Sequence, residues 1–449
     1  MSISNSKMKN RKQASAAAKK QGRGDKRVSR PGNQDKEIKT ASRSGVDDRA
    51  GKQQNSCPYR KKCGGCDYIG IPYDRQLAMK QERAAKYLNP VVKNAGIKIL
   101  PIIGAEHPLY YRNKVHSVFT EGRDRKIRRG IYEKNSHRVV DVRGCFLEDQ
   151  TADAIIEEIR NLMPSFHMQA FDEDRGRGFL RHVLIRWGSQ GYMVVLVTGD
   201  VVFPGKNNFV KALRKKFPEI VTIVQNINNA KTSMVLGDRN VVLFGKGFVE
   251  DDSLGLTFRI SPSSFYQVNT EQTRRLYNLA LQAAGLSGKE TVIDAYCGTG
   301  TIGMFMAGSV GQVIGVELNP AAVRDAVSNA RANQIRNIRF YHEDATAFLR
   351  ELAEMKTEER SEILGGKSRP DIVCMDPPRS GSTPEFIRAV SAMKIPRVVY
   401  ISCGIESLAR DLKEFQRAGY RPAMIQPVDM FPQTEGIEVV TLLKRESSR

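Results

Sequence analysis

Two residues far along the chain could together do covalent chemistry on a pyrimidine ring. Arg397-Val-Val-Tyr-Ile-Ser-Cys403 reads as a strand ending on a thiol, and Gly404 leads into a helix beginning near Glu406-Ser407. A thiol facing a helix N-terminus gains thiolate character from the helix dipole. Glu438 heads a second apolar strand, 439–443. A pyrimidine C5 is a poor nucleophile, but a thiolate added at C6 turns the ring into an enolate whose C5 accepts a methyl group. A base must then remove the C5 proton so that the thiol can leave. Cys403 is the expected nucleophile and Glu438 the expected base. Cys297 and Cys374 sit in or beside apolar strands and read as inert core thiols.

A methyl donor has a candidate site in the same half of the chain. Val292-Ile-Asp-Ala-Tyr-Cys-Gly-Thr-Gly-Thr-Ile-Gly303 is a strand, a Gly-rich turn and a helix start. Such a turn admits either a dinucleotide or S-adenosylmethionine. Glu317 ends the next strand, where an acid can hold both ribose hydroxyls. Asp294, just before the turn, suits an amino acid and a sulfonium better than a pyrophosphate. Asp344 follows a further strand, within reach of an adenine edge. Both details favour S-adenosylmethionine. Asp376-Pro377-Pro378 forms a rigid loop at a strand end. Arg379 follows where amino-methylating enzymes carry a base-stacking aromatic, which argues against nitrogen methylation.

A third constellation lies at the other end. Cys57-Pro-Tyr-Arg-Lys-Lys-Cys63-Gly-Gly-Cys66 has C-x5-C-x2-C spacing, and Cys145 is a credible fourth thiol. Four thiolates suit a [4Fe–4S] cluster or zinc. Methyl transfer needs no redox centre, so such a group reads as structural or as an RNA-docking element.

The elements that must position these residues fall into three stretches. Residues 1–56 carry 15 Lys+Arg against 5 Asp+Glu, no aromatic and few branched aliphatics, and read as a disordered basic tail that contacts RNA. Residues 57–255 read as a strand-rich α+β region, with strands near 178–187, 192–198, 220–227 and 240–244 and helices near 76–87 and 153–163. From 256 to 449, an amphipathic helix at 270–284 precedes alternating strands and helices, the pattern of a doubly wound parallel α/β sheet. Residues 357–370 read as a surface insertion.

The whole chain carries 449 residues and a net charge of +22, which favours nucleic acid as partner. Arg123, Arg125, Lys126, Arg128 and Arg129 cluster near Tyr110, Tyr111, Phe119 and Tyr132, a pattern suited to RNA. Lys211, Arg214, Lys215 and Lys216 read as a solvated helix face. No run approaches the ~18 apolar residues of a membrane span, and the first thirty residues lack an apolar signal core. A cytoplasmic monomer is expected, with no membrane partner.

Taken together, these residues resemble the RNA uracil-5-methyltransferase family, of the iron–sulfur type that makes 5-methyluridine in 23S ribosomal RNA, with transfer RNA as the alternative substrate. The likeness runs from Cys57 onward. It implies a Rossmann-like class I S-adenosylmethionine-dependent methyltransferase domain behind an iron–sulfur and RNA-binding domain. It implies [4Fe–4S] at Cys57, Cys63, Cys66 and Cys145. It further implies cofactor contacts from Gln267, Tyr296, Thr301, Glu317, Asp344 and Asp376. Tyr111-Arg-Asn-Lys114, Phe265-Tyr-Gln-Val-Asn269, Leu408-Ala-Arg-Asp411 and Asp429-Met-Phe-Pro432 resemble its other signatures. Two positions depart from the pattern. Gly404-Ile405 replaces Asn-Pro after the nucleophile, and Gly436 stands where His is frequent two residues before the base. Many ribosomal-RNA members carry an N-terminal β-barrel; none is expected in the residues before Cys57, where the basic tail is read instead.

Overall fold

The computed structural model describes residues 57–93, 96–122 and 124–446. The basic tail and Arg123 lie outside the described residues. Strands β1 (Lys114–Glu121), β2 (Ile127–Tyr132), β3 (Val139–Asp141), β4 (Leu180–Gly188), β5 (Gly191–Thr198), β6 (Ile220–Ile227) and β7 (Arg239–Phe244) form one sheet in the order β3-β2-β1-β4-β5-β6-β7. All its pairs are antiparallel except β5–β6, which the helix Lys206–Lys216 connects. The helices Gln150–Leu162 and Lys206–Lys216 cover one face, burying Ile155, Ile156, Ile159, Phe209 and Leu213. Asp149 caps the first of these by accepting the Ala152 N–H, a contact of about 1 kcal/mol.

After a short ribbon of β8 (Val249–Asp251) and β9 (Phe258–Ile260), the second sheet begins. It comprises β10 (Thr291–Ala295), β11 (Gln312–Glu317), β12 (Ile338–His342), β13 (Ile372–Met375), β14 (Arg397–Ser402), β15 (Tyr420–Val428) and β16 (Glu438–Arg445). Their order is β12-β11-β10-β13-β14-β16-β15. The first five are parallel, as the alternation predicts. β15 runs in the same direction as these five, and only β16 is reversed, lying antiparallel between β14 and β15. The sheet is therefore mixed. The stretch 357–370 is also more ordered than expected, since it contains the helix Thr357–Ile363.

The helix Tyr73–Val92 packs on this second sheet rather than the first. Its buried stripe, Gln76, Lys80, Ala84 and Leu88, repeats every four residues, and Ala84, Leu88, Val91 and Val92 join the core with Leu408, Leu412 and Phe415 of the helix Ile405–Arg417. On the opposite face of the second sheet, Leu184, Met193, Val195 and Val197 of the first sheet pack with Leu276, Tyr277 and Ala280. The segment before the first sheet and the inner face of that sheet's central strands β4 and β5 thus both serve the second.

Candidate active site

The Gly-rich turn is shaped by carboxylates. Asp294 is buried, and its Oδ2 accepts the Gly303 N–H at 2.8 Å. A side chain at 303 would bring its Cβ within 2.7 Å of that oxygen, so glycine is required there. Asp294 therefore clasps the turn, and its Oδ1 has no hydrogen-bond partner. Burial pushes its carboxyl up to about 7. Glu317 at the end of β11 is pre-oriented: Oε2 accepts the Gly298 N–H at 3.0 Å and Oε1 the Asn319 N–H at 2.7 Å. Tyr296 adopts φ 63° at the head of the turn, and its ring lies 5.6 Å from that of Phe386. A non-glycine residue held in the left-handed region is a frequent mark of a working site. Thr301 is buried, its hydroxyl 3.3 Å from that of Thr299. Asp376 follows β13, and its N–H lies 3.4 Å from the Ala295 carbonyl oxygen. Burial pushes its carboxyl up to about 7 as well. Asp344 caps the helix Ala345–Glu354 by accepting the Ala347 N–H at 2.9 Å, and is exposed.

Gln267 is buried, and its carbonyl accepts the Asn113 side-chain amide at 2.9 Å. The Asn113 backbone N–H donates to Val268 at 2.9 Å, and Arg112 bridges Asn269. Two sequence signatures separated by about 150 residues are thus stitched directly to each other.

The antiparallel pair β14–β16 brings the Cys403 thiol and the Glu438 carboxyl together. Ser402 pairs with Val439, so Cys403 and Glu438 are the next residues outward in register. Glu438 is buried, with Oε2 lacking a partner. Burial and then the Asp376 carboxylate hold its carboxyl well above the ordinary range, with Arg379 opposing. Cys403 is half-buried. Burial, Glu438 and Asp376 push its thiol up to about 11, and Arg379 pulls it down. The helix Ile405–Arg417 does begin just beyond the thiol, while burial first and then the Glu438 and Asp376 carboxyls raise it, and Arg379 is the cation that opposes them. Sequence reading had used Arg379 only to exclude nitrogen methylation.

The departure at Gly404 has a steric cause. A Cβ there would stand 2.5 Å from the Arg379 carbonyl oxygen. The Ser407 hydroxyl lies 2.8 Å from that same oxygen, and Arg410 donates to the Ser380 and Ser382 carbonyls at 2.8 and 3.2 Å. Asp411 accepts the Ser382 N–H and the Tyr400 hydroxyl, each at 2.7 Å. Hydrogen bonds, instead of a proline, fix this turn and press the Arg379 loop against the thiol.

Cys403 opens into a cleft of about 660 Å³ whose wall includes Lys114, Arg379, Phe431 and Glu435, and also Cys63, Cys66 and Cys145. The Cys63 sulfur accepts the Gly65 N–H at 3.4 Å. Burial, chiefly, pushes the Cys66 and Cys145 thiols up to about 12, and neighbouring thiols add to it. Among the described residues, no group of three or more His, Cys, Asp or Glu is placed to hold a metal ion. The four cysteines share a neighbourhood without a formed ligand geometry.

The basic–aromatic patch is only partly available. Arg129 is buried and paired with Asp153 at 2.5 Å and Glu157 at 3.1 Å. Phe119 is core, and the Tyr111 hydroxyl donates to the Pro432 carbonyl at 3.1 Å. Arg125 and Lys126 remain exposed, and Arg128 pairs with Asp124. Lys211, Arg214, Lys215 and Lys216 lie on a helix as expected, Arg214 over the Phe244 ring at 3.8 Å and Lys216 paired with Glu158. No helix of the described residues is long and apolar enough to cross a membrane.

Comparison with known proteins agrees with this geometry. The tRNA (uracil-5-)-methyltransferase family model matches residues 198–446. An uncharacterized RNA methyltransferase of Halalkalibacterium halodurans is 38% identical over 390 residues, covering 86% of this chain and 82% of that one. One from Lactiplantibacillus plantarum is 40% identical over 379 residues, covering 84% and 80%. The solved tRNA (uracil-54, C5)-methyltransferase of Pyrococcus abyssi, in complex with S-adenosyl-L-homocysteine, superposes with a TM-score of 0.69 at 25% identity, covering 85% and 86%. With its mixed seven-stranded sheet, acid-lined Gly-rich turn and paired thiol and carboxyl, the chain belongs to the S-adenosylmethionine-dependent RNA uracil-5-methyltransferase family.

Proposed function

We propose that this enzyme methylates C5 of a uridine in 23S ribosomal RNA through a covalent adduct at Cys403. The observation that carries the reading is the juxtaposition of Cys403 and Glu438 at the open end of β14–β16, beside Asp376. The Cys403 sulfur adds to uracil C6, and the electron pair displaced from the C5–C6 bond is held as an enolate. C5 then takes the methyl group. Glu438 accepts the C5 proton, the C5–C6 bond re-forms and the thiolate leaves. S-adenosylmethionine supplies an electrophilic methyl on a cationic sulfur. Its binding is supported by the orphaned Asp294 Oδ1, the pre-oriented Glu317 and the buried Asp376, together with Gln267, Tyr296, Thr301 and Asp344 around the crevice. Arg379 faces both reacting side chains and favours their ionised forms. A uridine inside folded RNA must be extruded to reach this cleft.

Cys57, Cys63, Cys66 and Cys145 are the residues that would hold a [4Fe–4S] cluster. Their thiol chemistry and mutual proximity support that assignment. The cluster would tie the loop 57–66 to Cys145, with no part in methyl transfer. The ribosomal target rests on the four-cysteine motif, which resembles that of the ribosomal-RNA members. The Pyrococcus abyssi neighbour, a tRNA enzyme, favours transfer RNA as the second reading.

Mass spectrometry of RNA from cells lacking the protein tests both. Loss of 5-methyluridine from 23S ribosomal RNA is the expected result. Loss confined to transfer RNA selects the second reading, and undiminished 5-methyluridine at every site ends both.

A further inference from the structure

Residues 429–437 contain no helix or strand, yet they lie between Val428 and Glu438, which pair across β15 and β16. Hairpin loops usually run 2–5 residues. A nine-residue excursion that delivers the base needs something outside itself to fix its shape. The helix Tyr73–Val92 provides it. Lys80 is completely buried, and its ammonium lies 2.5 Å from Asp429 Oδ1. It also donates to the Phe431 carbonyl at 3.1 Å and the Gly436 carbonyl at 2.8 Å. An ammonium has three protons to donate, and here one meets the start, one the middle and one the end of the loop. Gln433 is held as firmly. It is fully buried at φ 68°, its N–H donates to Gln76 Oε1 at 3.1 Å, and its side chain accepts from Gln76 Nε2 at 2.8 Å. Its carbonyl accepts the N–H groups of Asp67 and Tyr68. A left-handed non-glycine residue persists only where its surroundings over-determine it.

We propose that Lys80 and Gln433 are positioning residues for the base, fixing the loop 429–437 and so the placement of the Glu438 carboxyl over a ring bound at Cys403. This rests on the covalent reading above. Neither residue touches the ring, so each acts on the proton-removal step and leaves thiol addition alone.

The test uses the full-length enzyme with Lys80→Met and with Gln433→Asn, which keeps a residue tolerant of left-handed backbone. Ribosomal RNA transcripts containing uridine or 5-fluorouridine are the probes. With 5-fluorouridine there is no C5 proton to remove, so adduct formation reports Cys403 and methyl transfer without the base. The expected result is wild-type adduct formation on the fluorinated transcript. On ordinary uridine, turnover falls by about 10²-fold, the loss that a misplacement of order 1 Å produces, and a methylated adduct persists. Hydrogen exchange in the free enzyme is expected to rise over 429–437 and stay unchanged over β10–β14. Equal losses on both transcripts would mark a merely structural role and overturn the proposal, as would unchanged exchange over the loop. If Lys80→Met does not fold, Gln433→Asn decides alone. Failure of the covalent reading looks different: the unsubstituted enzyme itself then forms no adduct.

Discussion

Cys403 and Glu438 occupy facing positions one step beyond the last paired residues of β14 and β16, Ser402 and Val439. Two strands of opposite direction thus bring the proposed nucleophile and the proposed base to the same place. Burial raises the proton affinity of both, Asp376 raises both further, and Glu438 adds to that of Cys403.

Separating the two roles is direct. Cys403→Ser should form no covalent complex with 5-fluorouridine RNA. Glu438→Gln should still form it, and should accumulate a methylated adduct on ordinary uridine, with turnover reduced by about 10²–10⁴-fold. Denaturing gel electrophoresis of labelled RNA reads both. Unaltered turnover in either variant would sink the assignment.

The raised thiol sets a pH profile. Cys403 stands at about 11 and Glu438 well above the ordinary carboxyl range. Both must be ionised to act, so kcat/KM should rise with pH from 6 to 9. Arg379 lowers both groups, so Arg379→Met should move the profile to higher pH. A profile that falls over this range would contradict the geometry.

Cofactor binding should release protons. The Asp294 and Asp376 carboxyls stand at about 7, against 3.8 for an unperturbed group. The folded apoprotein therefore binds more protons than the unfolded chain between those values, and its stability should fall as pH rises from 3.8 towards about 7. A cationic sulfonium beside these groups favours their charged forms. Calorimetry at pH 6.5 in two buffers of different ionisation heat should show net proton release; uptake would refute it.

Gly404→Ala is a steric prediction. The added methyl must displace the Arg379 carbonyl, 2.5 Å away. A loss of kcat near 10²-fold with an unchanged melting temperature is expected. Near-wild-type activity would show that the Arg379 loop is not set by this contact.

The thiols give a spectroscopic prediction. Anaerobic purification should yield a coloured protein with about four irons per chain, lost in Cys66→Ser and on chelation. A colourless protein containing zinc would replace the iron assignment.

Much of the catalytic half was legible because its signals are local. The turn Gly298–Gly303, the helix Thr270–Ala284 and the thiol at the end of β14 follow from glycine, capping and apolar spacing. Other features were not local. β15 hid behind Pro422 and Pro427, which an edge strand tolerates and a central one does not. β1 and β2 were hidden by Lys114, His116, Arg128 and Arg129, charged or polar residues whose burial or cleft exposure only the fold reveals. Nothing local in the helix near 76–87 marked Gln76 and Lys80 as buried, yet they continue its buried stripe, because their partners lie some 350 residues away. Cys403, Glu438 and Asp376 were each legible, but the burial that raises the thiol was not, because it depends on how the strands pack.

The strand order β14-β16-β15 carries a consequence for biosynthesis. β16 is translated after both of its neighbours but must lie between them. Until it arrives, β14 and β15 cannot meet their final partners, and the growing chain presents two unpaired backbone edges. The same late strand carries Glu438, the proposed base. An interrupted product that ends before β16 would therefore lack Glu438, the residue proposed to complete turnover.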